Sequence, residues 1–141
     1  MEIINQLESR HVKQLHALYQ HESWAKGRSL EETHRCVSGS SICIGMIEKE
    51  GNLVAFARVL TDYVFKALIF DVIVHEKYRG DGLGNMLINT IKNHPELSRV
   101  KHFELYCLEE LNNFYQKHGF STDISNMHLM RYTSVADHQL L

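Results

Sequence analysis

The stretch Ala67-Leu68-Ile69-Phe70-Asp71-Val72-Ile73-Val74, followed four residues later by Arg79-Gly80-Asp81-Gly82-Leu83-Gly84-Asn85, decides how this sequence reads. Its first half is nearly continuous in apolar residues and rich in branched ones, which predicts a central strand covered on both faces, with Asp71 as its one charge. Beyond the glycines, Leu83, Leu87, Ile88 and Ile91 recur at the spacing of a helix packed on that strand, and Asn93-His94-Pro95 ends it. A turn between a buried strand and an amphipathic helix meets the positive end of the helix dipole with free backbone amides, so it binds phosphate. Glycines at 80, 82 and 84 permit positive φ and let a pyrophosphate approach without meeting a Cβ.

Two familiar nucleotide loops fail on spacing. A P-loop needs Lys-Ser/Thr after its last glycine, and Asn85-Met86 stand there; a dinucleotide fingerprint needs two residues between its last glycines, and only Leu83 separates Gly82 from Gly84. A strand-to-helix turn with glycines for geometry alone is the plain alternative.

Outward from this unit, Ile42 to Glu48 and Leu53 to Leu60 alternate as strands about the turn Glu50-Gly51-Asn52, an antiparallel hairpin. Upstream, Glu2 to Gln6 reads as a short strand and Glu8 to about His21 as a helix carrying Val12, Leu15, Leu18 and Tyr19. Ser29 with Glu32 forms a capping box that opens a helix running to about Val37. Downstream, Lys101 to Cys107 reads as a strand, Glu109 to His118 as a helix stopped by Gly119, and Met127 to Tyr132 as a last strand. The order gives the α/β class, a mixed central sheet flanked by helices. With 141 residues, one proline and no linker or repeat, a single domain is expected over residues 1–141.

A formal net charge of -2 provides no basic stripe, so no nucleic-acid partner is expected. No apolar run reaches the ~20 residues of a membrane span and no leader pattern opens the chain, which makes a cytoplasmic location with no membrane partner the expectation. Cys36, Cys43 and Cys107 are widely spaced and read as reduced core thiols. His11, His16 and His21 step about 140° around a helix, so they do not converge and read as surface or boundary histidines. No metal is expected.

Arg79-x-x-Gly82-x-Gly84 after the strand Asp71 to Val74 resembles the acyl-CoA pyrophosphate loop of the GNAT acetyltransferase superfamily. Phe114-Tyr115-Gln116-Lys117-His118-Gly119-Phe120 resembles that superfamily's second signature, and the likeness spans roughly Ile42 to Met130. A closer likeness, carried by Ala55 to Asp62 and Phe70 to Val74, is to the branch with plant serotonin N-acetyltransferases and short bacterial relatives. The resemblance implies a GNAT fold, acetyl-CoA as cosubstrate, and direct transfer of its acetyl group to a primary amine, with a small molecule as the expected acceptor. It further implies that the main chain of Val72 and Val74 pairs with pantetheine and that the Val72 amide holds the thioester oxygen. Arg79 and the amides from Gly80 through Asp81, Gly82, Leu83 and Gly84 to Asn85 would hold the pyrophosphate, and Tyr115 would be the general acid.

The base is left open by the same pattern. Many members carry a glutamate where this chain has Leu68, and the plant branch carries an aspartate where it has Leu108. Asp71, Glu104, Glu109, Glu110 or a water chain are the candidates. Asp71 has a second reading as a structural partner of Arg58 or Lys66. Trp24 and Arg28 precede the second helix, in the family's acceptor wall, where they suit an aromatic or carboxylate-bearing amine; packing on the core edge is the other reading of Trp24. An acyl-CoA-binding sensor without turnover is the competing function, and a monomer or homodimer is expected.

Overall fold

The strand quoted above sits fourth in the sheet, and everything else is assembled on it. A computed structural model describes residues 1 to 134. In chain order these form β1 (Glu2–Ile4), α1 (Ser9–Tyr19), α2 (Leu30–Gly39), β2 (Ile42–Ile47), β3 (Leu53–Thr61), β4 (Lys66–Val74), α3 (Leu83–Lys92), β5 (His102–Glu104) and α4 (Asn112–Gln116), with short 3₁₀ turns between some of them. The sheet order is β1-β2-β3-β4-β5, antiparallel as far as β4 and parallel between β4 and β5. The expected α/β architecture with a mixed sheet is therefore present.

One irregularity organises the site. Arg58 pairs with Phe70 but Phe56 pairs with Ile73, so Asp71 and Val72 both stand opposite Ala57, a β-bulge. Asp71 takes φ 57, the left-handed region that Asp and Asn tolerate better than other residues with a side chain. The bulge changes which residues share a face. Ala67 and Ile69 before it, then Val72 and Val74 after it, pack with Leu83, Leu87 and Ile91 of α3. Ile73 packs on the other face with Leu15, Tyr19 and Phe56. Leu87, Ile88 and Ile91 are wholly buried, each worth roughly 1.5–3 kcal/mol, so α3 is firmly seated.

Several expectations are met locally. In α2, Glu32 N–H donates to Ser29 Oγ at 3.0 Å and Ser29 N–H to Glu32 Oε1 at 2.8 Å, the capping box read from the sequence. Others need correction. Strand β4 is not covered on both faces: Leu68 is exposed and Phe70 half-buried, and both line a cleft on the face away from α3. The strand expected to reach Cys107 ends at Glu104, and the helix expected from Glu109 is a 3₁₀ turn followed by the short α4. Met127 to Tyr132 form no strand: β5 supplies only a three-residue ladder, and no further strand pairs with it among the described residues. His11 is buried rather than at the boundary, its Nδ1 accepting from Glu8 N–H at 3.1 Å at the start of α1. Of the cysteines only Cys43 is buried; Cys36 is half-buried and Cys107 exposed.

Candidate active site

Between β4 and α3 the loop has the conformation its glycines suggested. Gly80 and Gly82 take φ 88 and 81, and a Cβ at either would meet no atom within 4 Å, so open space faces them. The first bond into α3 from this side is Met86 N–H to Gly82 O at 3.1 Å, and the amides of residues 80 to 85 donate to no acceptor among the described residues. Unpartnered donors at the positive end of a seated helix form a cradle for a diphosphate, and this fits the pyrophosphate of a CoA ester. Leu83 contributes only its amide, because its side chain lies in the core. Asp81 and Asn85 are exposed, and Asn85 turns its carboxamide to His118. Arg79 stands at the loop entrance, its Nε 3.0 Å from Val74 O and its Nη2 3.1 Å from Glu22.

The second sequence signature meets this loop. Phe114 lies where a Cβ on Gly84 would come within 3.3 Å, so that glycine lets α4 settle on the start of α3. His118 Nε2 bonds Asn85 Oδ1 at 2.8 Å, and Lys92 Nζ donates to His118 O. Past α4, Gly119 takes φ 91, Phe120 N–H donates to Tyr115 O at 3.2 Å and Gly119 N–H to Gln116 O at 3.0 Å, a left-handed glycine stop. Tyr115 is thereby fixed, edge-on to Phe114 and Phe120 and buried. Its hydroxyl bonds no protein group among the described residues, and burial, helped by Cys107, pushes its pKa up to about 12.

A cleft of about 870 Å³ runs along β4 and β5 past Tyr115, with Leu68, Phe70, Glu104 and Cys107 also in its walls. The parallel register places Glu104 directly beside Leu68. Lys66 Nζ reaches Glu104 at 2.8 Å, so both side chains stand on the face of Leu68 and Phe70, away from α3. Tyr115 comes from the other side, through its contact with Phe120 and the α3 core. β5 stops pairing at Glu104 while β4 continues to Val74, so a carboxylate and a phenol flank the split from opposite faces.

Asp71 has the structural partner, and it is Arg58 rather than Lys66. Its Oδ2 accepts from Arg58 Nε at 2.7 Å, Tyr19 OH at 2.8 Å and Arg28 Nη1 at 2.9 Å, with the Asp71 side chain only 4% exposed. Burial alone would raise its pKa, but the bonds from Arg58 and Arg28 outweigh burial and hold it below the usual carboxylate range. Burial and the Asp71 charge drive Tyr19 far upward. The Arg28 guanidinium lies 4.6 Å from the Tyr19 ring and 5.5 Å from the ring of Trp24, which is exposed on its outer side. Trp24 and Arg28 thus do come together, beside the bulge. Tyr19 had no part in the sequence reading of the site; it looked like one more apolar position of α1. Arg58 did leave a signal, as the lone charge of β3, pairing with Phe70 next to Asp71 in the neighbouring strand.

The chain matches the family model described as an acetyltransferase (GNAT) domain over residues 40–122. It is 33% identical over 103 residues to the uncharacterized N-acetyltransferase ycf52 of Pyropia yezoensis, covering 71% of this chain and 59% of that protein. It is 32% identical over 79 residues to GCN5-related N-acetyltransferase 2, chloroplastic, of Arabidopsis thaliana, covering 56% of this chain and 31% of that protein. The chain thus spans about three-fifths of the ycf52 protein's length, at 59%, and less of the Arabidopsis protein's. A solved structure from Xanthomonas campestris pv. campestris, described as belonging to the GNAT family, superimposes with a TM-score of 0.81 at 26% identity, covering 95% of this chain and 94% of that one. None of these three is named for serotonin, so the narrower likeness stays a resemblance of sequence. No helix among the described residues is long and apolar enough to cross a membrane, and the chloroplast in a relative's name leaves the expected cytoplasmic location as an expectation. The chain belongs to the GNAT acetyltransferase family.

Proposed function

We propose that this member of the GNAT family transfers the acetyl group of acetyl-CoA directly to a primary amine of a small molecule. The observation that carries the reading is the junction of two elements: the unpartnered amides of residues 80 to 85 and, bound to them through Asn85–His118 and Gly84–Phe114, a fixed Tyr115 whose hydroxyl faces a cleft. Acetyl-CoA supplies a thioester whose C–S bond breaks as the amine's C–N bond forms. The loop amides and Arg79 hold its pyrophosphate, Arg79 through the Nη1 donors that its bonds to Val74 O and Glu22 leave open. The bulge interrupts the ladder at Val72, freeing main chain there to pair with pantetheine and to hold the thioester oxygen.

Two proton movements complete the balance. The amine loses a proton, and Glu104 is the residue to take it, since it occupies the position beside Leu68 where the family's usual carboxylate is missing. Asp71 is a poor base, with three donors on one oxygen and two cations holding it ionised, so its role is to fix the bulge. The departing sulfur gains a proton. Full transfer from a phenol near 12 to a thiolate near 8.5 is uphill by roughly 5 kcal/mol, so Tyr115 stabilises the sulfur by a hydrogen bond and solvent finishes the protonation. Burial raises the pKa of Cys107, and that of Cys43 to about 11, so neither thiol is activated for an acetyl-enzyme.

The test is thiol release from acetyl-CoA in the presence of a panel of amines. Saturable, amine-dependent release supports transfer, and Glu104→Gln should lower kcat without weakening acetyl-CoA binding. Binding without release for every amine supports the sensor reading instead.

A further inference from the structure

The Asp71 cluster holds more positive charge than the fold needs. Two guanidinium groups face one carboxylate, which leaves a surplus positive charge beside the bulge. Arg58 is 14% exposed and spent: its Nε bonds Asp71, its Nη1 reaches Ser40 Oγ at 3.4 Å, and its guanidinium stacks 5.0 Å from the Phe70 ring. Arg28 is different. It is 31% exposed, and only its Nη1 is engaged, so the edge formed by Nε and Nη2 has no protein acceptor among the described residues. That edge is nevertheless held in place, with the Tyr19 and Trp24 rings, themselves edge-to-face at 6.3 Å, both within stacking range of the guanidinium. A half-open arginine fixed by an ion pair and two rings is a preorganised anion receptor.

We propose that the acceptor is an amine that also carries a carboxylate, and that Arg28 binds that carboxylate. The proposal rests on the acetyltransferase reading above. Location supports it: Arg28 is bonded to Asp71, one residue and ~3.8 Å along the chain from Val72, on the face where Phe70 joins the cluster to the cleft and where Glu104 stands. A carboxylate on the Nε/Nη2 edge therefore leaves a short amine-bearing chain directed at the split. One surplus charge and one planar donor edge suit a monoanionic carboxylate better than a phosphate dianion. The carboxylates already nearby do not fill the position. Glu32 is tied to the cap of α2, and Glu22 to Arg79.

The experiment compares matched acceptors, each amino acid against its own carboxamide, by thiol release from acetyl-CoA. The carboxylate member should have a kcat/KM at least about tenfold higher, residing in KM. Arg28→Met keeps an apolar stem between the rings and should bring that ratio towards one; Arg28→Lys, a point charge without the fork, should give an intermediate ratio. Because Arg28 also braces Asp71, a wild-type measurement stands beside the variants: butyrate should compete with the amine and butyramide should not. Equal kcat/KM for the two members of each pair, competition by both compounds, or a ratio unchanged in Arg28→Met overturns the proposal while leaving acetyl transfer intact. Absence of thiol release with any acceptor, despite acetyl-CoA binding, removes the transfer reading and this one with it.

Discussion

Two places on either side of β4 treat their polar groups in opposite ways. At the bulge, one oxygen of the buried carboxylate is saturated, with three donors on Asp71 Oδ2. At the loop, the amides of residues 80 to 85 have no partner among the described residues although the inner face of α3 behind them is fully buried. Burying a charge without partners is expensive, so the saturated cluster reads as scaffold: it holds an aspartate in left-handed backbone and keeps the strand bent. Leaving donors open at the solvent side of a rigid helix end costs little in water and offers them to an anion.

The sharpest way to break the contrast is to fill the open side. Gly82→Glu places a carboxylate where a pyrophosphate would sit and forces a side chain into positive φ, in a position with no atom within 4 Å to repack. The rise in melting temperature on adding acetyl-CoA should vanish entirely, by loss of ligand linkage. An unchanged rise in Gly82→Glu would remove the loop from the binding site.

Next in size is the saturated side. Asp71→Asn keeps a residue suited to φ 57 but leaves Arg58 and Arg28 without their counter-charge, which should cost about 3 kcal/mol or more and lower the melting temperature by about 10 °C. Asp71→Ala should lose about 1 kcal/mol further from the backbone. The same charge fixes a pH dependence. The folded-state pKa is depressed, so the contribution is complete above the unfolded value of about 3.9 and is lost as pH falls through the folded one. Thermal scans between about pH 2 and 5 should show that acid limb in the parent and a flatter one in Asp71→Asn. Acetyl-CoA-dependent stabilisation surviving in Asp71→Asn would separate scaffold from binding loop; its disappearance would show that the two places are coupled.

Tyr115 lies between the regimes: its ring is packed like scaffold, its hydroxyl is unpartnered like the loop. Tyr115→Phe should therefore keep acetyl-CoA affinity and melting temperature and lower kcat by roughly 10²-fold, about 2.7 kcal/mol of transition-state stabilisation. A lowered melting temperature with kcat intact would make the residue structural.

How much of this could be read beforehand follows from how local each signal is. The loop glycines, the α2 capping box and the α3 apolar stripe depend on neighbours in sequence, and each lies where expected. The bulge is different. It shows only in the register of β3 against β4, and no periodicity of β4 alone reveals that Asp71 and Val72 share one partner. For the same reason the apolar run reads from sequence as a doubly covered strand, whereas Leu68 and Phe70 line a cleft. The likeness to a family supplied the roles of Tyr115 and the loop. It left the base open among Asp71, Glu104, Glu109, Glu110 and a water chain, and the parallel register then sets Glu104 beside Leu68.

Cys107 yields the smallest effect and tests the chemistry itself. It lines the cleft with Tyr115, is exposed, and is the one thiol placed to intercept an acetyl group. Proximity is not activation. Partial desolvation by the surrounding chain raises its pKa, no cation or histidine bonds it among the described residues, and its thiol donates to Asn112 Oδ1 at 3.5 Å, a contact that favours the protonated form. A nucleophilic cysteine needs the opposite surroundings. Cys107→Ala should accordingly leave kcat within about twofold, and intact-protein mass measured during turnover should show no added acetyl group. Loss of turnover in Cys107→Ala, or a mass increase on that residue, would replace direct transfer with a two-step route and would move the reacting centre from the split beside Val72 to the segment that follows β5.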